Sequence, residues 1–287
     1  MVKLFKSTYI AFIIVYVLMI TAGVLIIMDR IPWQADCVIL AVVVGIQFLL
    51  IKLSVRKYAK ICDIADTDLQ RFLTIQDQLA AKHSDMRRII DGNSIVALIN
   101  YELVEQAQQR IAAYGQILTP EDWMGRYMYS SYMAAVDLLK RDFSRMDFYF
   151  NDQRMCLQKM EERKTAGFTK KTALRLQLAA NQSGFEAEFY SRSPDRLCGE
   201  DREVTMRYLA NTERMLQLKD EIQIMKGYYI QALEYEKGVI YAVLNDQGKA
   251  RECLTRVAQC GYAYPIVDRA KQWLVQGDVQ LLMGINH

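Results

Sequence analysis

Hydrophobic positions follow two unlike patterns along the chain. From Tyr9 to Met28 and from Cys37 to Ile51 they are continuous and uncharged, separated by the polar joint DRIPWQAD. After Val55 they recur every three or four residues among charged and polar neighbours, the period of a helix with one buried face. The first pattern predicts a membrane hairpin and the second an all-α domain; no sustained alternation of period two predicts a strand.

The run YIAFIIVYVLMITAGVLIIM holds twenty residues without a charge, enough at about 1.5 Å per residue to cross a hydrocarbon layer of about 30 Å. CVILAVVVGIQFLLI holds fifteen; Leu53 and Val55 extend it, while Lys52 can carry its ammonium to the interface. Two transmembrane helices are expected, at 8–28 and 36–55. A buried core helix competes for the second run. A cleaved signal peptide competes for the first, but VLIIM continues past the small residues Thr21, Ala22 and Gly23, longer than a secretory apolar core. Lys3 and Lys6 precede the hairpin and Lys52, Arg56, Lys57 and Lys60 follow it, whereas the joint holds Arg30 against Asp29 and Asp36. The positive-inside rule then puts both ends in the cytoplasm, with Trp33 at the far interface and Pro32 in the turn. The expected location is the inner (cytoplasmic) membrane, and the absence of eukaryotic targeting signals points to a bacterium.

Residues 56–287 are expected to form one cytoplasmic helical domain. Tyr58, Ile61, Ile64, Ala65, Leu69, Phe72, Leu73 and Leu79 predict a single amphipathic helix. Asp91-Gly92-Asn93-Ser94 predicts a turn, and a helix to Leu118 follows, burying Ile95, Leu98, Ile99, Leu103, Val104, Ala107 and Ile111. In TPED, Thr119 is the expected cap and Pro120 the first helical residue, with two carboxylates where the helix dipole favours them. Further helices are expected through Trp123–Leu138 and 143–164, then as a pair between Thr169 and Leu218 divided by SRSPDRLCG, with Gly184 a candidate break.

The last third begins with a helix from Asp220 to Leu244, followed by NDQG and a second helix, KARECLTRVAQCG. Gly238 and Tyr241 stand three apart, Ala250 follows Gly238 by twelve, Gly248 marks the turn, and Tyr264-Pro265 opens a helix carrying Ala270, Trp273 and Leu274. On these residues the span Ala232–Pro265 resembles a tetratricopeptide repeat, a helical hairpin of about 34 residues. Glu234 and Lys237 depart from its usual aromatic and leucine, and Leu254 from its second-helix aromatic. The resemblance implies an α-solenoid in which small residues let two helices approach and stacked hairpins leave a concave face. Ala232, Tyr235, Val239, Ala242 and Val243 are then the expected partner-binding groove.

Charge and chemistry narrow the job. Seven of the 36 Lys and Arg and two of the 33 Asp and Glu lie in residues 1–60, leaving 29 and 31 beyond, so the basic balance is a juxtamembrane feature and no nucleic-acid ligand is expected. Six scattered cysteines form no CxxC; Cys253 and Cys260 share a helix face two turns apart, too far for a disulfide. With His83 and His287 the only histidines, and neither GxSxG nor a glycine-rich phosphate loop present, no metal, cofactor or catalysis is expected. The reading is a membrane-anchored adaptor or scaffold for an unknown protein partner. Its alternatives are a ligand or peptide sensor within a signalling or transport complex, and an accessory subunit packing through the hairpin.

Overall fold

In the computed structural model the described residues are 45, 49, 52–54, 56–165, 168–219 and 226–283. The chain divides into two compact units, Met1–Ile61 and Cys62–His287. In the first, residues 52–54 and 56–61 are helical. The expected membrane spans at 8–28 and 36–55 lie outside the described residues apart from Gly45, Leu49 and 52–54. Among the described residues no helix is long and apolar enough to cross a membrane.

The second unit is built from helices, with no strand among its described residues. Instead of one helix through Leu79, a 3-10 turn at Asp63–Asp66 precedes α1 (Leu69–Lys82), because Asp68 caps a new start by accepting from the Arg71 amide at 3.0 Å. The expected turn at 91–94 lies inside α2 (Arg87–Asn100). There Gly92 is a packing residue: a Cβ would stand 2.7 Å from the Tyr132 hydroxyl, and buried Ser94 bonds back to the Ile90 carbonyl at 3.1 Å. The helix expected to run on to Leu118 is two helices, since α3 begins afresh at Val104 and ends at Gln116. α4 (Trp123–Leu139) starts three residues beyond Pro120, with Asp122 rather than Thr119 as its cap, accepting from the Gly125 amide at 2.9 Å. α5 (Met146–Glu162) and α6 (Lys170–Tyr190) follow, and Gly184 does not interrupt α6. The expected loop after Ser191 holds a five-residue helix, α7 (Pro194–Cys198), and leads to α8 (Arg202–Gln217). The unit continues with α9 (Lys226–Val243), α10 (Gln247–Ala258), α11 (Pro265–Gln276) and the short α12 (Val279–Leu282).

Four helices end through a residue other than glycine in the left-handed region: Glu102 after α2, Arg141 after α4, Lys164 after α5 and Asn245 after α9. In each case the next amide reaches back to the last turn, as Asp142 does to the Asp137 carbonyl at 2.9 Å and Asp246 to that of Tyr241 at 2.9 Å. These closures fold each helix back on its predecessor, so successive helices pack in an array compatible with a helical-repeat domain.

The largest apolar cluster lies in the last third, where Val239, Ile240, Val243, Ala250, Leu254, Val257, Val267 and Trp273 are buried together. α9 and α10 cross closely at Gly238, where a Cβ would come within 2.6 Å of Leu254 Cγ. The 3-10 turn returns to this region: Ala263 donates its amide to the Asp66 carbonyl at 3.2 Å, Tyr264 donates its hydroxyl to the Asp66 carboxyl, and Tyr101 donates to the Ala65 carbonyl at 2.7 Å. Within the second unit, the first turn and the last hairpin are therefore in direct contact.

Candidate functional site

The stripe Ala232, Tyr235, Val239, Ala242 and Val243 does not face an open groove. Tyr235 is 5 % exposed, Val239 0 %, Ala242 2 % and Val243 3 %, and Ala232 packs half-buried on the same cluster. The physical reason is the return of α12 and the 3-10 turn onto α9; the Tyr235 hydroxyl is used up in donating to the Leu282 carbonyl at 2.7 Å. These side chains are packing residues in this fold.

A different face of α9 leads to the most distinctive chemistry. Glu236 accepts from Gln182 Nε2 of α6, and the same amide nitrogen donates to Thr212 Oγ1 of α8 at 2.9 Å. Asn211 Nδ2 closes the set by donating to Gln182 Oε1 at 2.6 Å. Gln182, Glu186 and Tyr190 are spaced four apart along α6 and so lie on one face of it. Glu186, Tyr190, Tyr228 and Glu236 are all enclosed by protein, yet each keeps partial contact with solvent. The four side chains form a polar and aromatic cluster between α6 and α9.

Two guanidiniums lie beside this cluster, and both are engaged. Arg141 donates to the Tyr190 carbonyl at 3.3 Å and lies 5.0 Å from the centre of the Tyr190 ring. Arg269 makes a two-pronged pair with Glu102, 3.1 Å on one side, and lies 5.7 Å from the Tyr235 ring. Glu102 and Arg141 are both held at φ 58°, so the turns after α2 and α4 aim them inward.

Burial raises the pKa of Glu186 to about 7, with Arg141 pulling the other way. Burial raises Glu236 further, and the charge of Glu186 adds to the effect against the hydrogen bond from Gln182. The phenols of Tyr190, Tyr208 and Tyr228 are pushed up by the same burial and by the two carboxylates, so they remain neutral donors and acceptors. Tyr208 is fully buried, and its hydroxyl faces Glu236 without a hydrogen bond of ordinary geometry.

On the opposite side of α6 an open groove of about 440 Å³ is lined by Phe150, Arg154, Asn181, Phe185, Glu188 and Arg207 among others. Its central charges are already matched, since Glu188 pairs with Arg192 and Arg207 at 3.1 Å each. Among the described residues no group of three His, Cys, Asp or Glu is placed to hold a metal ion, and Cys62, Cys156, Cys198, Cys253 and Cys260 form no disulfide.

Glu186 and Glu236 were not singled out from the sequence, where FEAEFY and EYEKG carry charges at ordinary helical spacing. The available signal was the run Gln182, Glu186, Tyr190, a polar stripe on a helix whose neighbouring positions Leu178 and Phe189 are apolar and buried. Comparison with known proteins finds no matching family model, no matching curated protein and no matching solved structure.

Proposed function

We propose that this protein is a non-enzymatic adaptor, tethered at the cytoplasmic face of a membrane by the apolar runs at 8–28 and 36–55. Its helical unit, tetratricopeptide-like in its last hairpin, receives a segment of another protein against the cluster of Glu186, Tyr190, Tyr228 and Glu236. The observation that carries this reading is the cluster of half-buried polar and aromatic side chains, Glu186 and Tyr190 on α6 with Tyr228 and Glu236 on α9. Stacked helical hairpins recognise extended or helical segments in this way, with aromatic rings giving area and a few polar groups giving register. The hairpin geometry supports the repeat assignment: Gly238 lies against Leu254 where the small residue of the first helix belongs, and Ala250 is fully buried at the crossing. The tether rests on the twenty-residue uncharged run and on the basic residues at both ends of the hairpin.

The experiment is site-specific photo-crosslinking of the full-length chain in its native membrane. A photoreactive phenylalanine replacing Tyr228 is expected to trap a discrete partner, while the same group replacing Phe148, 67 % exposed on α5, is expected to trap none. Partner adducts from Phe148 and none from Tyr228 would overturn the interior site. Recovery of the chain in the aqueous fraction without detergent would overturn the tether.

A further inference from the structure

We propose that the basic face formed by the end of α5 and the start of α6 docks on a bilayer surface of anionic lipid. Leu174 enters the headgroup layer, and Lys164, Lys170, Lys171 and Arg175 meet lipid phosphates around it. The proposal rests on the adaptor reading only in its membrane tether.

The charge is concentrated and of one sign. From Arg163 to Phe185 the chain carries five basic residues and no acidic one. α5 and α6 pack antiparallel: Phe150, early in α5, lies against Gly184, late in α6, while Cys156 and Met160 share a cluster with Ala180 and Leu176. The five basic residues are thereby gathered at one end of the pair, and all five are exposed. Among the described residues Lys164, Lys170 and Arg175 enter no ion pair. The nearby Glu162 is taken by Lys159 at 2.8 Å, and Arg163 is turned onto the Trp123 ring at 5.4 Å. Helix electrostatics does not account for the pattern, because Lys170 and Lys171 stand in the first turn of α6, where the dipole favours carboxylates.

An apolar side chain stands inside this charge. Leu174 is 44 % exposed, with Lys170 and Lys171 one turn before it and Arg175 beside it. Cations around a protruding leucine make a face suited to a lipid interface, where buried apolar area and attraction to anionic headgroups add. A nucleic acid would use the cations and leave the leucine in water. Base stacking finds no open ring here, since Trp123 is covered by Arg126 and Arg163 and Phe168 packs on the cluster around Met160.

The place of the face in the helical unit favours the same partner. The charge of Arg175 acts on Tyr229, near the start of α9. Gly227, two residues earlier, is so close to the entry turn that a Cβ there would stand 2.6 Å from Asp66 Oδ2. The basic face and the turn by which the chain enters the unit therefore adjoin the same end of α9. Only residues 56–61 separate Cys62 from Val55, the last residue of the second expected span, at most about 25 Å of extended chain. A tether in the bilayer keeps a surface at this end within reach of headgroups.

The test uses the full-length chain in lipid nanodiscs of phosphatidylcholine alone or with about a third phosphatidylglycerol. A photoreactive phenylalanine replacing Leu174 is expected to form lipid adducts at least about fivefold more often in the anionic discs. That excess is expected to vanish in about 1 M sodium chloride, where the screening length falls to about 3 Å. The same group replacing Phe148, at the other end of α5, is expected to form none. Lys170→Glu combined with Lys171→Glu and Arg175→Glu is expected to abolish the excess with the circular dichroism unchanged. Amine-reactive labelling of Lys164, Lys170 and Lys171 in the unsubstituted chain is expected to fall in the anionic discs, which keeps the test decisive if a substituted chain fails to fold. Equal adducts and equal labelling in both discs, with the chain anchored in both, would overturn the docking face and leave the tether standing. A chain that stays out of phosphatidylcholine discs yet is captured by anionic ones through these lysines would overturn the tether and keep the face. Protection of the lysines by single-stranded RNA, and not by phosphatidylglycerol, would assign the face to nucleic acid and overturn the lipid.

Discussion

The last hairpin and the central block, α9–α10 and α4–α6, are built from the same kind of helix and are held together differently. Between α9 and α10 the contacts are apolar and continuous, from Val239 and Ile240 through Ala250 and Leu254 to Val257. Between α4 and α6 the apolar groups fall into smaller clusters, one around Tyr127, Cys156 and Met160 and another around Ala134, Met146 and Tyr149. Polar pairs fill the gaps: buried Asp137 accepts from Tyr149 at 3.0 Å and from Arg145 at 2.8 Å, while Asp152 accepts from Ser130 and from Arg126 at 2.9 Å. The difference teaches that a helical array can be uniform in architecture and still change its glue from one hairpin to the next. A close apolar crossing tolerates little change in volume, whereas a polar crossing depends on geometry and satisfied partners.

The sharpest way to break the comparison is at Leu254. Leu254→Ala is expected to lower stability by about 2–5 kcal/mol in urea unfolding, because a fully buried side chain at the tightest crossing leaves a cavity. Gly238→Ala alone is expected to cost about 1–3 kcal/mol by overpacking against Leu254, and distinctly less in the Leu254→Ala background, where its methyl has room. Equal costs in both backgrounds would mean that the two helices do not meet as described.

In the central block, Asp137→Asn is expected to cost about 1–3 kcal/mol, since the amide cannot serve both Arg145 and Tyr149 as the carboxylate does. Glu161→Gln, exposed on the same helix as Tyr149, is the matched control and is expected to change little.

A smaller effect comes from pH. Burial raises the carboxyls of Asp66, Glu186 and Glu236, so in the window between the ordinary carboxylate range and their folded values the folded chain binds more protons than the unfolded one. Stability is therefore expected to fall as pH rises through that window, and Tm measured from about pH 5 to about pH 8 should decline. Glu236→Gln should flatten that slope. The smallest effect is expected at Asp68→Ala, about 1 kcal/mol, from loss of the α1 cap.

The same contrast decides what the sequence made legible. The all-α class, the α9–α10 hairpin and the start of α11 at Pro265 follow from period and small-residue spacing, because apolar packing writes itself as a pattern. Helix ends were harder to place. Glu102, Arg141 and Lys164 adopt a left-handed conformation usually marked by glycine, and Gly92 and Gly184, which look like breaks, sit inside helices. The expected groove was assigned from the repeat resemblance, whose first-helix positions coincide here with the buried stripe of α9. The stripe Gln182, Glu186, Tyr190 gave a local hint of Glu186, but Arg141 beside it and the Gln182 and Tyr208 that face Glu236 come from other helices, and only the fold gathers them.

The measurement that bears most directly on the interior site is a carbon-13 NMR titration of glutamate side chains in the full-length protein, with Glu186 and Glu236 assigned by their glutamine variants. The account predicts that Glu186 half-ionises at about 7 and Glu236 higher still. Two carboxyls titrating near the ordinary glutamate value of about 4.3 would contradict it.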